Sequence, residues 1–381
     1  TEITLEKLDT GKGQYIYYDL YKPKIASEKN KVPFIAIIPG FQRSKEALSN
    51  IAIEFSRRGY VVGLIDPYAQ GLSSSSRSRI AATTQGYGMF ALIEHVNESS
   101  DFNFINKELL GSTGHSMGGN AAIRGANYFG KKADEQNKKS LLHSVYVSGY
   151  VLTLRDDVLK DVRSNVGVSY ALYDEGSFRN ELKNWDAANM KIAPESLRTV
   201  NSGLKKEEHI SEVELGKYYG DLESNTLRVI FNEELLHPFQ PYNAEATANQ
   251  LAYFETVFGA PIKLDTYDQI WQWKEFFTLL NMIISFWLLI PLTRTLLKIN
   301  FFKTLVKPIP EALPVQNRVG KTIFWSVFFV SAGIACVTFI PLVEVAKTLF
   351  PEAATRQLTW FFPQRMNNSC LLYTSDAADD V

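Results

Sequence analysis

The first two thirds of the chain alternate short apolar runs with stretches whose apolar residues recur at helical spacing. That alternation predicts βα units around a mostly parallel sheet. Gln14–Tyr21 alternates apolar and polar positions and predicts an early strand. Val32–Pro39 is apolar throughout, as a strand buried on both faces would be. Ser44–Gly59 predicts a helix, with Ser44 as N-cap and Gly59 just beyond its end. Tyr60–Ile65 predicts the next strand and Thr83–His95 a helix. Glu108–Gly111 predicts a strand that runs into a glycine-rich turn, from which Asn120–Arg124 leaves as a helix. Ser144–Val151, Val166–Tyr173 and Thr226–Asn232 predict three more strands, and Ala244–Phe258 an amphipathic helix that closes a domain over residues 1–262. Between Gly176 and Asn225 the alternation gives way to a polar stretch, which predicts a lid-like insertion over residues 176–225.

A different pattern follows a linker at residues 263–275. Phe276–Thr293 and Thr322–Val343 are nearly continuous apolar sequence, apolar on every face and free of charge in their middles. A helix crosses a bilayer with about 20 such residues. Between them Arg294, Lys298, Lys303, Lys307, Arg318 and Lys321 face only one acid, Glu311. Excess cationic side chains mark cytoplasmic loops. Residues 294–321 are therefore expected inside, and residues 1–262 and 344–368 outside. Trp271, Trp273 and Trp360 are expected as interfacial anchors. The tail from Ser369, S-C-L-L-Y-T-S-D-A-A-D-D-V, resembles translated sequencing-adapter read-through, so residues 369–381 are expected to be an artefact of a broken gene end. Threonine at the first position implies that the recorded start is not the translational one.

Composition narrows the class by exclusion. The net charge is -1, and Lys and Arg are scattered with no basic face, which argues against nucleic acid as a partner. Zinc-ligand and P-loop spacings are absent from the sequence. The two cysteines, Cys336 and Cys370, are too few for a disulfide framework. No metal or organic cofactor is implied.

The candidate chemistry starts in the glycine-rich turn, Ser112-Thr113-Gly114-His115-Ser116-Met117-Gly118-Gly119-Asn120. Here G-x-S-x-G lies between a predicted strand and a predicted helix, where a sharp turn lifts the Ser116 hydroxyl above the sheet edge. A serine hydroxyl needs a base within hydrogen-bond reach, and the base needs an orienting acid. Of the five histidines, His115 lies beside the serine within the turn. His95 lies on a predicted helix, His143 begins a strand, and His209 sits in the charged run Lys205-Lys206-Glu207-Glu208. His237 follows the last predicted strand, and a loop there opens at the sheet edge where ligands bind. His237 is the expected base. The expected acid is Asp174, first past the Val166–Tyr173 strand, with Glu175 as the alternative. The oxyanion needs two backbone donors. Met117 is expected to supply one and Phe41, in the turn after the Val32–Pro39 strand, the other. Gly40 lets that turn come close. Gln42 adds either a side-chain donor to substrate or an exposed loop glutamine. Phe178, Trp185 and Met190 either line an acyl pocket or form the small core of the insertion.

Residues 14–260 resemble the α/β-hydrolase superfamily, in its esterase, lipase and dienelactone-hydrolase-like part. Four features carry the resemblance: Pro39-Gly40-Phe41, the run from Gly59 to Ser73, Gly114–Gly119, and the strand-end Asp174 and His237 in the order Ser116, Asp174, His237. The resemblance implies an α/β fold with helices on both faces of the sheet, and acyl transfer to water through an acyl-enzyme. Two departures stand out. Pro39 occupies the place of the histidine that many members carry before the oxyanion glycine. Ser116 replaces the cysteine of dienelactone hydrolases proper, so their substrate does not carry over. The attached apolar helices resemble those of bacterial membrane-attached members. The expectation is a membrane-tethered serine hydrolase acting on a small-molecule or lipid-like acyl ester, with the lipid bilayer as its other partner. An acyltransferase or peptidase on the same scaffold, or a non-catalytic membrane binding protein that keeps the fold, remain the alternatives.

Overall fold

The computed structural model describes residues 1–78, 80–307 and 317–349, and the expectations for Glu311, Trp360, Cys370 and the tail lie outside them. It contains one unit spanning Thr1–Trp271 and a second beginning at Gln272. The elements of the first unit are β1 (Glu2–Gly11), β2 (Gln14–Lys22), β3 (Val32–Ile38), α1 (Ser49–Arg57), β4 (Val61–Ile65), α2 (Ala81–Thr84), α3 (Met89–Glu98), β5 (Ile105–His115), α4 (Met117–Gln136), β6 (Ser144–Ser148), α5 (Asp156–Leu159), β7 (Asn165–Ser169), α6 (Pro194–Asn201), β8 (Arg228–Phe231) and α7 (Ala244–Phe258). The strands form one sheet in the order β1-β2-β4-β3-β5-β6-β7-β8. β1 and β2 are antiparallel, β2 joins β4 antiparallel, and every pairing from β4 through β8 is parallel.

The central strands are apolar because both faces are covered. Phe34, Ala36 and Ile38 of β3, with Val61 and Ile65 of β4, enter one core cluster; Ile35, Ile37, Val62 and Leu64 enter the other. Successive side chains thus point to opposite faces, as a pleated strand requires. On the second face Phe55 of α1 meets Phe254 of α7 edge-on at 5.1 Å.

Several expectations need correction. β1 was not foreseen. The helix expected at Thr83–His95 is broken: Gly86, Tyr87 and Gly88 all have positive φ, and α3 starts only at Met89. The Ser44–Gly59 helix opens with a 3₁₀ turn over Lys45–Leu48, and Ser44 makes no cap bond. The strand expected to reach Tyr173 ends at Ser169, so Asp174 stands on a loop beyond it.

Residues 259–271, expected in part as linker, pack on the first unit. The Ile262 amide donates to Arg58 O at 3.0 Å and the Tyr60 hydroxyl to Gly259 O at 2.8 Å. Buried Glu54 accepts the amides of Ile270 (2.7 Å) and Trp271 (3.0 Å). Trp271 is buried and donates its indole N–H to Gln269, so it is not an interfacial anchor.

The elements that follow are α8 (Trp271–Leu296), whose first residue belongs to the first unit, α9 (Asn300–Lys303) and α10 (Arg318–Leu349). Among the described residues two helices are long and apolar enough to cross a membrane: Trp271–Leu296, with mean hydropathy 1.9, and Arg318–Thr338, with 1.6.

Candidate active site

β5 delivers Ser116 and α4 departs from it. Ser116 has φ 58° and ψ -122°, a strained conformation held by its surroundings. Its amide donates to Ser148 O of β6 at 2.8 Å, and its carbonyl accepts the Asn120 amide of α4. The two motif glycines are steric necessities. A Cβ on Gly114 would lie 2.5 Å from Ile38 O, and one on Gly118 would lie 1.9 Å from the same atom. The elbow can therefore press against the end of β3 only without those side chains.

The turn after β3 comes equally close. A Cβ on Gly40 would lie 3.1 Å from both His115 O and Ser116 Cβ. Phe41 follows it at the rim, and Gln42, exposed, takes φ 59°. The turn is held by Gln70, whose side-chain oxygen accepts the Arg43 amide at 3.1 Å, and by buried Asp66, which accepts the Lys45 amide at 2.8 Å. Burial pushes the Asp66 carboxyl up, against the hydrogen bonds it accepts from the Leu72 and Lys45 amides. Gln70 lies within the Gly59–Ser73 run but its part in this turn was not anticipated. Met117 is the first residue of α4, where amides have no acceptor inside the helix.

Asp174 and His237 come together across the loops that follow β7 and β8. His237 Nδ1 lies 2.8 Å from Asp174 Oδ2. The other carboxylate oxygen, Oδ1, accepts the Gly176 amide at 2.7 Å, which fixes the group's orientation. Asp174 is buried and His237 partly exposed. Glu175, by contrast, is exposed. The His237 ring also packs on the His115 ring, with centroids 4.5 Å apart, and this contact joins the last loop to the elbow. Ser116 is partly exposed at the turn.

His115 is buried beneath this site and bonded through Nδ1 to Ser148 Oγ at 3.2 Å. Burial pushes its imidazole well down, with His237 and Arg43 adding to the effect. Gly149, at φ 64°, makes room for it: a Cβ there would lie 2.7 Å from His115 Cε1.

The three insertion side chains do not form one pocket. Met190 is 0% exposed within the main core, Phe178 is 71% exposed and Trp185 completely so. Met190 belongs to packing: its amide donates to the Asn232 side chain, which ties the insertion to the end of β8. Among the described residues no cluster of His, Cys, Asp or Glu has the arrangement of a metal site.

The sequence profile of the PET hydrolase-like family matches residues 9–175. No curated protein sequence matches the chain. Among solved structures the chain is similar to esterase 2 of Thermogutta terrifontis phosphorylated by paraoxon, at 13% identity over 68% of this chain and 96% of that one, TM-score 0.46. It is similar also to the dienelactone hydrolase of Anabaena variabilis, at 14% identity over 68% and 98% of the two chains, TM-score 0.43. A third is the α/β hydrolase GrgF from Penicillium sp. sh18, at 13% identity over 68% and 99%, TM-score 0.45. The sheet order, the strained serine between β5 and α4, and the matched profile define an α/β-hydrolase fold. Over residues 9–175 the chain is similar to the PET hydrolase-like family, and its fold is that of the α/β-hydrolases.

Proposed function

We propose that the protein is a membrane-tethered serine hydrolase that cleaves carboxylic esters through an acyl-enzyme. The observation that carries this reading is the 2.8 Å bond between His237 Nδ1 and buried Asp174, on loops at the edge where Ser116 is raised. That bond leaves Nε2 of His237 as the ring's free proton acceptor. Ser116 Oγ attacks the ester carbonyl carbon while its proton passes to His237 Nε2. The backbone N–H groups of Phe41 and Met117 hold the oxyanion. Collapse breaks the carbon–alkoxide bond, and the departing alcohol takes the proton from His237. Water then attacks the acyl carbon, gives a proton to His237, and the acid leaves as Ser116 recovers it. Asp174 keeps the imidazole oriented and stabilises its charged form. Gln42 and Phe178, both exposed, are proposed as substrate contacts. The PET hydrolase-like match over residues 9–175 supports an ester as substrate, since it spans the turn at Gly40, the elbow and Asp174. The two apolar helices support attachment to a lipid bilayer, and the excess of Lys and Arg between them is the reason to place the catalytic unit on the outer side.

A fluorophosphonate probe applied to the full chain in detergent tests the reading. Labelling of the wild type that disappears in Ser116→Ala is expected. Labelling that persists in the variant would refute the assignment of the nucleophile.

A further inference from the structure

The loop that carries His237 begins and ends on one buried group that the proposed chemistry does not use. Glu233, 3% exposed, lies just past β8, before His237. Its carboxylate accepts the Ser169 hydroxyl, with Oε2 at 2.8 Å and Oε1 at 3.0 Å. It also accepts from Gln240 Nε2 at 3.2 Å and from Asn249 Nδ2 of α7 at 3.0 Å. Gln240 Nε2 in turn donates to Ser169 Oγ at 2.6 Å. Ser169 is the last residue of β7, the strand that leads to Asp174. Gln240 lies just past His237. Both ends of the His237 loop are thus fastened, through Glu233, to the strand end that leads to the acid.

The backbone repeats the arrangement. The Leu172 amide donates to Glu233 O at 2.8 Å and the Tyr173 amide to Leu235 O at 3.0 Å. The two loops run side by side from the ends of β7 and β8 to the residues that meet, Asp174 and His237. Among the described residues no cation pairs with the Glu233 carboxylate. Its side-chain partners are all donors, and only an acceptor with several lone pairs satisfies them together.

We infer that Glu233 is a positioning residue that sets His237 against Asp174. The inference rests on the reading of those two residues given above. A buried carboxylate without a counter-ion costs stability, because burial disfavours its charged form. Three converging donors offset that cost and give a fixed register between two otherwise irregular loops. Glutamine in its place would keep the volume and present an amide N–H₂ to neighbours that already donate. A space-filling role would tolerate that change, and a register-setting role would not.

The test is a double-mutant cycle on the full chain in detergent, read by p-nitrophenyl acetate turnover and by the rate of fluorophosphonate labelling. Glu233→Gln is expected to lower kcat by about a hundredfold, the order of loss that roughly 1 Å of misplacement produces, with KM little changed. In an Asp174→Asn background the same substitution is expected to cost less than threefold, since the register it sets is already without effect. Wild-type kcat in a folded Glu233→Gln protein, or a full loss that persists in the Asp174→Asn background, overturns the inference. If Glu233→Gln does not fold, Asn249→Ala removes a single donor, and a severalfold loss confined to the Asp174 background is expected. The same loss in both backgrounds again overturns it. Failure of the catalytic reading shows separately, as wild-type protein whose labelling survives Ser116→Ala.

Discussion

The ring of His115 lies 4.5 Å from the ring of His237, centroid to centroid, so the elbow and the last loop share an aromatic contact directly under the proposed reaction. A protonated His115 there would oppose the imidazolium that forms on His237. The fold prevents it by burial, which pushes the His115 imidazole well below its ordinary range.

That burial has a pH consequence. In the unfolded chain His115 titrates near pH 6.5, at about the free value. Below that pH the unfolded state takes up a proton that the folded state refuses, so stability falls as pH falls, by up to about 1.4 kcal/mol per pH unit. His143, also pushed down by burial and by Lys139, acts in the same direction. Glu233 and Asp66, both pushed up by burial, act in the opposite one. His115→Phe removes only the first contribution. Thermal unfolding from pH 7.5 to 5 is expected to show a shallower loss in the variant than in the wild type. Parallel profiles would mean that His115 is protonated freely in the folded protein.

Asp174 is expected to matter far more than its neighbour. Asp174→Asn keeps the shape but offers an amide to Nδ1 and disfavours the imidazolium, and kcat should fall by roughly three to four orders of magnitude. Glu175→Gln should stay within about twofold, because Glu175 is exposed and surface substitutions away from a site are usually near neutral. Hydrolysis of p-nitrophenyl acetate by both variants decides this. Asp174→Asn within tenfold of wild type would remove Asp174 from its role.

Why the central strands were legible and other parts were not follows from what each residue faces. β3 and β4 are apolar on both faces, so their runs stand out without any knowledge of neighbours. β1 is an edge strand whose Ile3 and Leu5 are exposed among charged residues, and its pattern resembles a solvated segment. The break before α3 depends on left-handed Tyr87, which no helical periodicity announces. Met190 has the company of a lid residue in sequence, but its neighbours in space are core side chains. Ser116, Asp174 and His237 were legible as candidates because each follows a strand-like apolar run in the sequence. Glu233 was not: beside Glu234 it resembles a solvated acidic pair, and only the fold brings Ser169, Gln240 and Asn249 to it.

The proposed topology makes a prediction about the segment between the apolar helices. Lys303, on α9, should face the cytoplasm. In a Cys336→Ser, Cys370→Ser background, Lys303→Cys is expected to react with a membrane-impermeant maleimide only after spheroplasts are permeabilised. Reaction in intact spheroplasts would place the loop outside and reverse the orientation of the catalytic unit.

The last prediction concerns how the first unit holds the chain that leaves it. Glu54 is fully buried on α1, and its Oε2 pairs with Arg57 at 2.8 Å and with buried Arg58 at 2.9 Å. Its Oε1 accepts the amides of Ile270 and Trp271. Arg58 completes the clasp by donating to the carbonyls of Asp265 (2.6 Å) and Asp268 (3.0 Å). Glu54→Ala would leave Arg58 charged and buried without its acid, and breaking such a pair costs about 3–5 kcal/mol. The departing segment would lose its amide acceptor in the same step. Glu54→Gln keeps one acceptor oxygen for those amides while losing the charge, so an intermediate loss is expected. Thermal unfolding and limited proteolysis of the full chain read both effects, with new cleavage between Gly259 and Trp271 expected in Glu54→Ala. If the variant melts with the wild type and resists protease equally, residues 259–271 are held by apolar contacts such as Pro261 and Ile262 against Gly59 and not by the ion pair.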